Sequence, residues 1–128
     1  MSYYLAKTIS MPFDQAVART TEALKQEGFG IITGIDIRDT LKRKIDVDFR
    51  PYRILGACNP TLAHEALQIE DKFGTMLPCN VIVQELAPGR VEVAAVYPVA
   101  SMQAIDNPTL AEKARTVRSK LESAVSRI

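Results

Sequence analysis

The sequence predicts an α+β fold: an antiparallel or mixed sheet with helices on one face, in the order β-α-β-β-(short α)-β-β-α. Three observations carry this. Apolar residues recur at spacings of three and four near both ends of the chain, as amphipathic helices require. Short runs rich in β-branched and aromatic residues, bounded by Gly, Pro and Asn, read as strands. Strands follow one another directly after the first helix, which favours pairing between sequence neighbours. At 128 residues the chain has the length of one domain, expected over 1–128.

Residues 3–9 (YYLAKTI) are the first expected strand. Pro12 belongs to a first helical turn, where a missing N–H costs nothing, and Asp14 suits the positive end of the same helix. Phe13, Ala16, Val17, Thr20 and Leu24 give it one apolar face, and Gly28 stops it. Residues 30–37 (GIITGIDI) form a second strand, so the first strand, helix and second strand make a candidate right-handed crossover. Residues 38–45 give one or two helical turns, and 51–58 (PYRILGAC) a third strand. Asn59-Pro60 reads as an N-cap followed by the first helical position. Leu62, Ala63, Ala66 and Leu67 mark the buried side of a short helix reaching about Asp71, and Gly74 and Pro78 punctuate its exit.

The segments 80–86 (NVIVQEL) and 91–97 (VEVAAVY) form a hairpin. Pro88-Gly89 between them suits the central positions of a type II turn, because Pro presets φ and Gly accepts a positive one. A loop over 98–107 leads to a second cap pair, Asn107-Pro108. The closing helix then carries Leu110, Ala114, Val117, Leu121, Ala124, Val125 and Ile128 along one face.

Composition narrows the function classes. The chain is 47% apolar and 24% charged, which suits a packed globule rather than a disordered chain. Sixteen basic residues against fifteen acidic ones leave a net charge of +1, which argues against a nucleic-acid partner. Lys42, Arg43, Lys44, Arg50 and Arg53 interleave with Asp36, Asp39, Asp46 and Asp48, so this segment reads as a mixed-sign solvated surface. With no secretory pattern, no membrane-length apolar run and only two cysteines, a cytoplasmic location is expected, without a membrane partner.

Those cysteines, Cys58 and Cys79, are the residues most open to chemistry. Each stands at a strand end and is followed by Asn, in ACNP and PCN. A thiol just before a helix N-cap lies near the positive end of the helix dipole, which lowers its pKa. The bland alternative is that both are small buried hydrophobes. His64, the one histidine, lies a turn inside the helix that opens at Asn59-Pro60. Cys58, Cys79 and His64 would make a Cys2His set, but the spacing matches no common zinc template and lacks a fourth ligand, so no metal site is assigned. The candidate site is therefore Cys58, Asn59, Pro60, Cys79, Asn80 and His64, with Asn59 and Asn80 read first as capping and turn residues. Glu85 and Glu92 face each other across the hairpin as a carboxylate pair, or else lie on its solvent side. Tyr3, Tyr4, Tyr52 and Tyr97 sit on strands and serve either the core or a pocket or interface. The chain has no phosphate loop, nucleophile elbow, HExxH or CxxC, so whether it is an enzyme, and with what cofactor, stays open.

YRILGACNP (Tyr52 to Pro60) followed by LPCNVIVQE (Leu77 to Glu85) resembles the domain-of-unknown-function family 302. Gly28-Phe29 before a strand and the closing helix fit the same family. The resemblance implies a TATA-binding-protein-like arrangement, a curved, mostly antiparallel sheet with two main helices on one face, in small dimeric proteins. It implies no activity. Fold likeness to a DNA-binding sheet is not evidence for DNA binding.

A sheet covered on one face leaves the other for a ligand or a second subunit. Ile31, Thr33, Ile35 and Ile37 alternate with Ile32, Gly34 and Asp36, so neither side of that strand is cleanly polar. The expected function is a small soluble homodimeric ligand-binding or assembly module, with a second copy and a small molecule as partners. The alternative is a thiol-based redox or metal-binding protein using Cys58 and Cys79.

Overall fold

A five-stranded antiparallel sheet, ordered β1-β5-β4-β3-β2, organises the described residues. The structure is a computed structural model that describes residues 2–98 and 105–128. In chain order its elements are β1 (Tyr4–Ser10), α1 (Phe13–Gln26), β2 (Gly30–Asp36), α2 (Ile37–Ile45), β3 (Tyr52–Cys58) and α3 (Pro60–Ile69), then a 3-10 helix (Asp71–Met76), β4 (Cys79–Ala87), β5 (Arg90–Val96) and α4 (Pro108–Ser126). The predicted order holds. The expected loop over 98–107 lies partly, at 99–104, outside the described residues.

The local signals behave as capping and turn chemistry require. The Asn59 side chain accepts a hydrogen bond from Leu62 N at 3.2 Å, with Pro60 at the first position of α3. Asn107 accepts from Thr109 N and Leu110 N ahead of Pro108. Gly28 ends α1 with φ +87°, and Gly89 turns the β4–β5 hairpin with φ +76°, the left-handed region that glycine tolerates. Pro12 is displaced by one position, standing just before α1 rather than inside it. The fold keeps a proline at the helix start either way, where no intrahelical N–H is lost.

Helices α1 and α4 cover one face of the sheet. The core between them joins Ala16, Ala23 and Leu24 of α1 and Leu121, Ala124 and Val125 of α4 to Ile9, Leu55, Ala57, Val81, Val83, Val91, Val93 and Ala95 of the strands. These strand positions alternate, as one buried face demands. Each large aliphatic side chain fully buried there contributes about 1.5–3 kcal/mol. A smaller cluster of Ala66, Phe73, Leu110 and Ala114 ties α3 and the 3-10 helix to the start of α4.

One expectation needs correction, and two others gain definition. Leu67, placed on the buried side of α3, is 38% exposed, because only Ala66 of that helix is buried. The β1-α1-β2 connection, expected as a crossover, joins strands that are not neighbours. It spans the whole sheet, since β1 and β2 are its opposite edges. The short helical segment is α2, nine residues capped by Asp36, which accepts from Asp39 N; none of its residues is buried.

Candidate functional site

Both cysteines reach one cavity at the end of the sheet. Ala57 pairs with Cys79 across β3 and β4, so Cys58 lies one residue beyond the partner of Cys79. Cys58, Asn59 and Cys79 line a narrow cavity of about 40 Å³ whose walls include Phe29, Phe73 and Leu77. That volume exceeds the roughly 10–15 Å³ one water needs, by a modest factor. Both thiols are free and half-buried.

The environment of Cys79 is opposite to the one expected for a reactive thiolate. Burial and the neighbouring Cys58 push its pKa up from 9.0 to about 11. Desolvation penalises the charged form, and a second thiolate close by penalises it further. Cys79 is therefore a protonated thiol at neutral pH, a poor nucleophile. At the rim, Lys113 of α4 pairs with Glu65 of α3 at 2.8 Å, which raises the Lys113 pKa and clamps the two helices together.

The remaining candidates disperse. His64 is on the exposed side of α3, its Nε2 3.2 Å from Gln68 Nε2, away from the cavity lining. The Cys2His set is not assembled, and no group of three metal-ligating side chains occurs among the described residues. Pro60 is exposed at the start of α3. Asn80 is a strand residue paired with Gly56, not a turn residue, and it lines the opposite face of the sheet from Cys79. Glu85 and Glu92 do not converge, because the two-residue turn sets Gln84 against Glu92 and Glu85 against Val91. The two carboxylates consequently point to opposite faces.

Two residues that carried no chemical signal hold the motifs together. Asn59 Nδ2 lies 3.0 Å from where a Gly28 side chain would begin, so the Gly28-Phe29 and ACNP segments meet. Gly56 is enclosed by Thr33 and Pro78: a Cβ there would come within 2.7 Å of Pro78 Cγ and collide with Thr33 Oγ1. A lone strand glycine beside a proline-bearing strand end is the only trace of this packing in the sequence.

The uncovered sheet face is the second feature. Register carries Ile35 to Ile54, Ile54 to Ile82, Ile82 to Ala94 and Ala94 to Ala6, an apolar row across all five strands. Beside it runs a polar row, in which Gln84 donates to Glu92 at 2.9 Å and Arg50 donates to Gln84 at 2.8 Å. Tyr3, Tyr4 and Tyr52 rim a groove of about 420 Å³ over Asn80, Ile82, Ala94 and Val96. Of the four tyrosines, Tyr97 stands apart, accepting from Arg118 at 3.3 Å.

The model of the domain of unknown function DUF302 matches residues 5–128. The chain belongs to the DUF302 family. A crystal structure of an uncharacterized conserved DUF302 protein from Bacillus stearothermophilus superposes with a TM-score of 0.91 at 27% identity, covering 99% of this chain and 98% of that one. No curated protein matches the chain. DUF302 membership thus accounts for the ACNP and LPCN segments and for the α+β fold, and it brings no activity. Among the described residues no helix is long and apolar enough to cross a membrane.

Proposed function

We infer that this DUF302 protein is a homodimeric module in which two copies pack their uncovered sheet faces together. The observation that carries the reading is the apolar row Ile35, Ile54, Ile82, Ala94 and Ala6, in register across the face that no main helix covers. Antiparallel sheets normally present polar residues on a solvated face, and contiguous apolar patches mark interaction surfaces.

The area suffices for a stable pair. Strands about 4.8 Å apart, rising about 3.4 Å per residue, give this five-stranded face about 24 by 24 Å. Two such faces bury about 1,150 Å², above the ~1,000 Å² a specific interface needs. The surface also has interface chemistry: exposed Tyr3 and Tyr4, with Arg50 stacked 4.4 Å from the Phe49 ring and 5.8 Å from the Tyr52 ring. A small molecule would sit in the tyrosine-rimmed groove between copies, whose size falls in the usual range of ~300–1,000 Å³ for ligand pockets. Sedimentation equilibrium at about 10 μM, far above the Kd of a stable interface of this size, tests the assembly. The expected mass is twice the chain's 14.1 kDa. A single-chain mass there contradicts the reading.

A further inference from the structure

The groove on the uncovered face contains a carboxylate. Glu92 is the one acidic residue among those lining it, and no Lys, Arg or His lines it. We propose that this groove takes a small apolar molecule carrying a protonated amine, an assignment that rests on the groove being the ligand site of the homodimeric module.

The charge balance carries it. Glu92 is half-buried and, among the described residues, accepts a side-chain hydrogen bond only from Gln84 Nε2, at 2.9 Å, and has no ion-pair partner. An ionised carboxylate offers about four acceptor positions, so most of its capacity is open. Arg50 stops one residue short. Its Nε donates to Gln84 Oε1 at 2.8 Å, and its guanidinium lies over the Phe49 and Tyr52 rings. Gln84 is thereby held between the two, with its oxygen turned to Arg50 and its nitrogen to Glu92. When a second copy covers the face, water leaves this carboxylate. A buried charge left unpaired is costly, so the stable occupant of the groove brings a positive charge and N–H donors with it. An ammonium group has both.

The remaining walls set the body of the ligand. Ile82, Ala94 and Val96 make an apolar floor, and Tyr3, Tyr4 and Tyr52 add aromatic rings around it. Aromatic faces attract cations, and Arg50, 5.8 Å from the Tyr52 ring, already uses one of these rings in that way.

The test titrates the full chain with phenethylamine and with two analogues of the same phenethyl body, neutral phenethyl alcohol and anionic hydrocinnamate, following backbone amide shifts by nuclear magnetic resonance. The amine is expected to saturate with a Kd of about 10 mM or tighter, the range of a weak small ligand. It should bind at least about tenfold more tightly than either analogue, with shifts centred on Ile82, Glu92 and Ala94. Glu92→Gln, which keeps the shape of the side chain, should erase that preference. Equal binding of the three probes overturns the ligand class, as does the absence of saturable binding or a preference that survives in folded Glu92→Gln protein. If the variant fails to fold by far-ultraviolet circular dichroism, the preference of the parent chain and the position of its shifts decide alone. Sedimentation of the same samples separates the two readings. A dimer without amine preference overturns the ligand class alone, and a monomer that prefers the amine through Glu92 overturns the assembly alone.

Discussion

Single residues differ here in how far their chemistry depends on neighbours distant in sequence. Thr20 shares the apolar face of α1 and is fully buried, yet among the described residues its hydroxyl has no hydrogen-bond partner. An unpartnered buried hydroxyl destabilises the fold, so Thr20→Val, which keeps the shape, is expected to raise stability by about 1 kcal/mol in urea denaturation. An unchanged or lowered midpoint would mean that the hydroxyl is satisfied. Cys79 makes the complementary case. Its pKa is raised from 9.0 to about 11 in the fold, so the folded state holds its proton where the unfolded state has lost it. Stability is then fully present below pH 9 and lost as pH rises towards 11, by up to about 3 kcal/mol. Cys79→Ala should flatten that alkaline decline. That both cysteines line one cavity was legible from two strand ends in succession. The direction of the pKa was not, because the cover over Cys79 comes from elements as far apart in sequence as Phe29 and Val117. The same limit applies to Glu85 and Glu92: one residue of register decides whether two carboxylates share a face.

Among the elements, α4 was the most legible, because five of its predicted face residues, Leu110, Ala114, Leu121, Ala124 and Val125, are the ones buried. Leu121 is 0% exposed at the centre of the core, and Leu121→Ala is expected to cost about 2–5 kcal/mol. Ser119→Ala, on the exposed side, should change stability by less than about 0.5 kcal/mol. Equal thermal midpoints for the two would place the helix the wrong way round. In α3 the pattern misled at Leu67, since the helix docks through Ala66 with Leu62 and Ala63 along the cavity, and Leu67 falls outside that contact. The α2 segment was weakly legible for a related reason. With no buried residue it has no apolar stripe to read, and its Asp36 cap and Arg43–Asp39 pair at 2.8 Å hold it locally.

For the whole molecule, strand count, the order of elements along the chain and helix placement followed from local pattern, while the order of strands in the sheet and the function of the sheet did not. Apolar residues on both sides of a strand signal two covered faces, and α1 and α4 supply only one cover. The pairing register shows what the strands could not show singly, that Ile35, Ile54, Ile82, Ala94 and Ala6 align into one row. A net charge of +1 offers little repulsion between copies. The most direct measurement is sedimentation velocity on Ile82→Lys beside the unaltered chain. Ile82 sits mid-row on the uncovered face, so lysine there leaves the monomer fold intact but buries a charge in the interface. A folded monomer is expected for the variant and a dimer for the parent at the same concentration. A variant that remains as fully dimeric as the parent would contradict the assignment of this face.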